Sequence, residues 1–347
     1  MKPIKILQYA ILAGIVILAF LRLAPYFNDF SKLWELKDHI NSWWLAAAIF
    51  SQIFQYVGDG WFSQLLLQVA QIKVSIKDSF RIASLNVFAA HLLPLGEAGG
   101  LATAYHFYRK LGVDPEKFIF LAFCWTAIIH IILLVLFIVP IPFLQELPIA
   151  INSSLIIISI TIGILIIISA YLTRKQLIKK LEKLLGKYSW AKPFFAFFKN
   201  LQTYKKLMTS HPWLIFFSLV ACFIYYASNI ATLIFSFLAF GILPSIPLIV
   251  FAYSAALIFS KITLAPAGIG ATEATLILIF LEAHVDPNLT IAAVIVYRLI
   301  SFWLPIPAGM FSFYTLQKDT KHLGAKHELP GEKHATPKNK SIKRKKV

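Results

Sequence analysis

Apolar residues in this chain neither alternate nor recur as isolated helical stripes; they run in long blocks. Apolar runs occupy 4–24, 43–70, 118–142, 151–172, 213–240 and 290–316, and each reaches the ~20 residues a helix needs to cross the hydrocarbon of a bilayer. Four shorter pieces remain, 79–93, 97–112, 246–264 and 271–284. They come in two pairs, each joined through glycine and proline. At ~1.5 Å of rise per residue, the piece at 271–284 makes ~21 Å of helix and is too short to span. The pattern predicts an all-α polytopic membrane protein of six full spans plus two re-entrant helical hairpins, each hairpin being two half-helices that meet near the bilayer midplane. The ten-residue alternation of a membrane β-barrel is absent.

The two breaks share a sequence. Residues 94–115 read PLGEAGGLATAYHFYRKLGVDP and residues 266–287 read PAGIGATEATLILIFLEAHVDP. Pro94 matches Pro266, Gly96 matches Gly268, and Val113-Asp114-Pro115 matches Val285-Asp286-Pro287 without a gap. Both breaks interrupt apolar sequence and both precede a full span, so the repeated unit is span, hairpin, span, at about 43–142 and 213–316.

The basic residues orient it. With the N-terminus inside, the expected cytoplasmic segments collect 28 of the 33 Lys and Arg residues, while Arg22, Lys32 and Lys37 lie outside and Lys261 and Arg298 within the membrane. This inside-positive bias fits a multi-pass cell-membrane protein with both termini cytoplasmic. Three full spans separate the hairpins, so the first opens from the cytoplasm and the second from outside. The expectation is an inverted-topology repeat, an architecture that serves alternating access.

Composition narrows the class. The chain is 59% hydrophobic and 14% charged, with mean hydropathy +0.73, where a soluble domain carries about a quarter charged residues. The basic start and apolar run at 4–24 lack a small-residue cleavage site and read as a retained span rather than a signal peptide. The net charge of +17 gathers in the loop at 173–211 and the tail at 317–347. The loop mixes lysines with Leu, Phe and Trp at helical spacing, as for a helix lying in the inner headgroup layer. The tail reads as disordered and drawn to anionic lipid rather than to nucleic acid. Cys124 and Cys222 sit in apolar blocks as small buried residues. His91 and His130 have no second ligand at i+4, so no metal or other cofactor is expected.

A helix that begins inside the membrane exposes unpaired N–H groups and the positive end of its dipole, and glycine lets a ligand approach that backbone closely. Two such starts facing each other would draw an anion such as a phosphate. The candidate substrate-binding residues are Pro94, Gly96, Glu97, Gly99, Gly100 and Arg109 around the first break, and Lys261, Pro266, Gly268, Gly270, Glu273, Tyr297 and Arg298 around the second. Ionisable groups at membrane depth are costly and commonly functional. Glu97 and Glu273 read either as caps of their helix starts or as partners of a headgroup amine or proton. Glu273 pairs with Arg298 or with Lys261. Asp59 faces either a basic residue of the repeat or an outer cavity.

At LPLGEAGGLATAYHFYRKLGV, APAGIGATEATLIL and VYRLISFWLPIPAG the chain resembles the lysylphosphatidylglycerol synthase/flippase transmembrane-domain family over residues 4 to about 316. Gly268-x-Gly270-x-x-Glu273, followed by Tyr297-Arg298, carries the resemblance most specifically; Pro94, Gly96 and Glu97 match a looser form. The resemblance implies a lipid flippase-like domain without the soluble synthase domain that attaches the amino acid in the best-known relatives, and leaves the lipid open. The expectation is a transporter of an anionic lipid and not an enzyme, since the chain has no His-x-x-x-Asp or Asp-x-Asp pair. A lipid headgroup-modifying enzyme and an ion-coupled transporter of a small solute are the alternatives.

Overall fold

The computed structural model describes residues 40–93, 96–144, 180–188, 191–262 and 268–324. These residues are helical throughout, without strands. In chain order the helices are α1 Ser42–Val69, α2 Ile76–Leu92, α3 Glu97–Lys110, α4 Pro115–Ile138, α5 Lys192–Lys199, α6 Leu201–Ser210, α7 Pro212–Ala239, α8 Ile246–Ile262, α9 Ala271–Glu282, α10 Pro287–Arg298 and α11 Pro305–Gly324. A π-helical turn at Leu299–Trp303 joins α10 to α11.

Three stretches are long and apolar enough to cross a membrane: Pro115–Phe143, Pro212–Ala239 and Pro287–Asp319. They correspond to the runs read at 118–142, 213–240 and 290–316. The runs at 4–24 and 151–172 lie outside the described residues. The run at 43–70 forms α1, which matches α7 at 28 residues, but a polar face lowers its hydropathy. That face is turned inward. Ser51, Gln52, Gln55, Asp59 and Ser63 are buried, while Phe50, Ile53, Phe54 and Val57 are exposed. A helix wet on the inside and greasy on the outside fits a bilayer environment, where lipid replaces water as the solvent of the outer surface.

The two segments around each break pack together. α2 and α3 form one hairpin, α8 and α9 the other. Several helices around the first break resemble those around the second. α1 and α7 have equal length, and α2 and α8 each have 17 residues. α4 and α10 start alike, at Pro115 and Pro287, capped by Asp114 on the Glu116 amide (2.8 Å) and Asp286 on the Leu289 amide (2.9 Å). Proline at the first helical position forfeits only an N–H that has no helical partner.

The units meet along α1 and α7, which run antiparallel. The Asn41 amide donates to the Ala239 carbonyl at one end, the Trp61 and Phe217 rings meet at the other, and Thr232 binds Ser51 and Gln52, both at 2.6 Å, between them. A Cβ on Gly58 would stand 2.9 Å from the Tyr225 backbone nitrogen, so glycine there sets the close approach. The hairpins are exchanged. α2–α3 packs on α11, with Phe88 against Gly309. α8 packs on the end of α4, through Phe137 and Phe251 (5.2 Å) and the Ser254 hydroxyl on the Leu136 carbonyl (3.3 Å).

One boundary differs from the sequence reading. α11 continues to Gly324, so the first eight residues of the expected disordered tail are helical. Leu316 is buried and Arg81 Nη1 holds Asp319 at 2.7 Å, so packing and an ion pair extend the last turns. The remainder of the tail, 325–347, lies outside the described residues. In the basic loop, α5 and α6 dock on α4. Asn200 and the Tyr204 hydroxyl both donate to Glu116, at 2.8 and 2.9 Å, and Tyr204 stacks on Phe120. Burial, followed by the bond to Glu116, pushes the Tyr204 phenol well above its usual range.

Candidate functional site

The first break turns at Leu93, which leaves the helix in an extended conformation, and at Gly96, with φ +51°. The second passes Gly268 (φ +68°) and Gly270 (φ +81°) before α9 begins. All three glycines occupy backbone that L side chains rarely adopt. At Gly268 space matters as well, because a Cβ would meet Ser260 Oγ at 2.4 Å and Thr272 Oγ1 at 2.6 Å.

The two glutamates do different work. Glu273 Oε2 accepts the Gly270 amide at 2.7 Å, reaching back over its own helix start as an N-terminal cap. Its Oε1 takes Arg298 Nε at 2.6 Å, with the side chains 14% and 13% exposed. The structure therefore selects Arg298, not Lys261, as the partner of Glu273. Glu97 makes no cap, since no side chain caps α3. It instead forms an ion pair with Lys261 near the end of α8. That pair ties the first break to the second, and Glu97 stays 61% exposed.

Arg298 is held on three sides, by Glu273, by the face of Phe302 at 5.1 Å, and by the π turn that starts at the next residue. Its Nη2 is buried and has no hydrogen-bond partner among the described residues. The His91 ring lies 4.8 Å from that of Phe302, tilted by 58°, and its Nδ1 donates to the Val87 carbonyl, a packing role. Tyr297 is buried. Tyr225 on α7 lies within electrostatic reach of Glu97 and Tyr297.

Other candidates fall elsewhere. Gly100 is used up by packing, because a Cβ would meet Asn86 Oδ1 at 2.4 Å and its carbonyl at 2.7 Å. Arg109 sits exposed at the far end of α3, ~18 Å along the helix from Glu97 by its rise; the structure leaves it out of the site. Gly99 lines an open groove of about 430 Å³ between α3 and α11, with Thr103, His106 and Phe313. The groove lies on one flank of the first break. Pro94 and Pro266 lie outside the described residues. The π turn, which re-aims Arg298 and Phe302, was not anticipated, and nothing in the apolar run VYRLISFWLP signals it. Among the described residues no cluster of His, Cys, Asp and Glu could hold a metal.

The family model described as the lysylphosphatidylglycerol synthase TM region matches residues 6–309. The chain is also similar to a UPF0104 membrane protein of Pyrococcus horikoshii, 26% identical over 272 residues that cover 70% of this chain and 78% of the relative. A UPF0104 membrane protein of Methanothermobacter thermautotrophicus is 28% identical over 111 residues, about a third of each chain (32% and 33%).

Proposed function

The chain belongs to the lysylphosphatidylglycerol synthase transmembrane-region family, and on that basis and on the geometry of its two breaks we propose that it carries an anionic, phosphate-bearing lipid between membrane leaflets by alternating access, with no chemical step. The observation that carries the reading is Arg298. Its guanidinium gives Nε to Glu273 and keeps Nη2 buried and, among the described residues, unpartnered, beside the start of α9. A buried donor without an acceptor is costly, and a phosphate oxygen is the acceptor a guanidinium fork suits best. The first-turn N–H groups of α9 and its dipole would support the same charge.

In this reading the two hairpins are re-entrant, the headgroup sits between the Lys261–Glu97 and Arg298–Glu273 pairs, and the acyl chains stay in the bilayer. The two units rock about the α1–α7 contact and expose the headgroup to each leaflet in turn. The lysines of the 180–211 segment face anionic headgroups of the cytoplasmic leaflet, with both termini on that side. The test is leaflet exchange in liposomes containing the full chain, followed with fluorescent phospholipids and polyprenyl phosphates. Exchange of an anionic lipid should fall about tenfold or more in Arg298→Lys, because an ammonium holds Glu273 but lacks the fork. No exchange of any lipid by folded protein would sink the proposal, and vesicle uptake driven by a Na⁺ gradient would favour a small-solute transporter instead.

A further inference from the structure

The structure holds a second polar feature that the lipid site does not use. Gln52, Gln55, Asp59 and Ser63 lie three or four residues apart on α1, so their side chains stack along one face. All four are buried, with exposures of 1, 3, 6 and 1%. Gln52 Oε1, Gln55 Oε1, Asp59 Oδ2 and Ser63 Oγ have no hydrogen-bond partner among the described residues. One such atom would be unremarkable. A file of four within a span, centred on a carboxyl, departs from the rule that buried polar groups are paired.

The carboxyl is also alone in charge. α1 and α7 contain no Lys or Arg, and among the described residues no salt bridge includes Asp59. Among the described residues, titratable groups within its electrostatic reach include Tyr56 from α1, Tyr108 from α3, and Cys222 and Tyr225 from α7. None of these is a cation at neutral pH. An isolated carboxylate in an apolar interior costs far more than its neutral acid. Such a group is kept either by a partner or by a proton, and among the described residues no partner is present.

Its position gives the proton a use. Asp59 follows Gly58, where α1 and α7 approach closely, a Cβ on Gly58 standing only 2.9 Å from the Tyr225 backbone nitrogen. Tyr225 lies within electrostatic reach of Asp59, Glu97 and Tyr297 alike. In the transport reading, movement of one unit against the other would open this seam and wet the carboxyl.

We propose that Asp59 is a proton-binding site whose occupancy follows the movement of α1 against α7, so that a proton accompanies transport. In the closed seam the carboxylate has taken a proton from water and stands as the neutral acid, its O–H available to the neighbouring oxygens of the file. When the seam opens, the O–H bond breaks, the proton passes to water, and the carboxylate stays until the seam recloses. This rests on the transport reading above for its coupling, though not for the proton site itself.

The test uses the full chain in vesicles of phosphatidylglycerol and phosphatidylethanolamine, and the isosteric variant Asp59→Asn. Infrared spectra at neutral pH should contain a protonated carboxylic-acid C=O band that the variant lacks; identical spectra overturn the proton site. Leaflet exchange is then followed with and without a pH gradient. Wild type should accumulate lipid in one leaflet by up to about tenfold per pH unit for one coupled proton, and Asp59→Asn should respond to no gradient. Exchange that ignores the gradient in wild type, or that responds equally in the variant, overturns the coupling. Absence of all exchange beside a clear infrared difference would sink the lipid reading while upholding the protonated site. A thermal melt of Asp59→Asn at or above the wild-type value confirms that the comparison is between folded proteins.

Discussion

Replacing Arg298 by Met keeps the length of the side chain and removes its charge, so it isolates what the pair with Glu273 contributes. The pair is short, 2.6 Å, and both partners are about six-sevenths buried. Removing one member of a buried pair costs about 3–5 kcal/mol because the other is left uncompensated. Glu273 would keep the Gly270 amide as a partner, so the low end applies. At ~2–4 °C per kcal/mol for a chain of this size, a loss of about 3 kcal/mol lowers the melting temperature by roughly 6–12 °C. The assay is thermal unfolding of the detergent-solubilised full chain, followed by thiol reactivity of the buried Cys124 and Cys222. Glu273→Gln leaves an oxygen to cap Gly270 but strands the guanidinium. The double variant strands neither charge and should be more stable than Arg298→Met alone, by at least ~1 kcal/mol, since groups in direct contact are energetically coupled. A double variant whose loss equals the sum of the two single losses would refute the claim that these residues act as a pair.

Gly58→Ala should destabilise by about 1–3 kcal/mol in the same melt, because its methyl meets backbone rather than a movable side chain and must part α1 from α7. Gly268→Ala should cost more than Gly112→Ala: both positions have positive φ, but the second has nothing within 4 Å and bears only the backbone strain, about 1 kcal/mol. Lys261→Met should shift the melt little, by less than about 1 kcal/mol, because its partner is 61% exposed and exposed pairs contribute little. Glu116→Gln removes the charge that Asn200 and Tyr204 both hold; proteolysis within 191–211 should speed up while the melt of the remaining core holds.

The fold was legible where lipid and backbone dictate the answer. A run of apolar residues must be helical to satisfy its own N–H groups in hydrocarbon, so α4, α7 and the 290–316 run could be read directly. The breaks were legible because Gly96, Gly268 and Gly270 need conformations that only glycine adopts cheaply. Side-chain partnership was not. That Lys261 would cross to Glu97 while Arg298 took Glu273 depends on how two hairpins sit together, which spacing along the chain does not contain. Gly100 looked like a ligand-facing glycine and proved to be a packing one, since sequence cannot tell which side of a helix a neighbour will occupy. The polarity of α1 was visible as a string of Gln, Ser and Asp, but its inward direction needed α7 in place.

The repeat read from the sequence does not carry a duplicated charge set. At the 172-residue offset, Glu97 corresponds to Ile269, Glu273 to Leu101, Lys261 to Ala89 and Arg298 to Thr126. Two cations and two carboxylates therefore gather near the breaks from unmatched positions, and their formal charges cancel. Attraction for an anion must then come from helix starts and the spare Arg298 donor, or from a pair that opens. The Lys261–Glu97 pair is the one built to open, being the more exposed. Glu97→Gln leaves the site with one net positive charge. A unit charge ~6 Å from a bound phosphate is worth roughly 1–3 kcal/mol at effective dielectrics between 80 and 20. The variant should bind an anionic headgroup about fivefold or more tightly in a competition assay against a fluorescent lipid, and more so at low salt. Weaker binding of amine-bearing anionic lipids, with simple phosphates unaffected, would instead make Glu97 a receptor for the headgroup amine, and the site would be selecting a zwitterionic or aminoacylated headgroup rather than a bare phosphate.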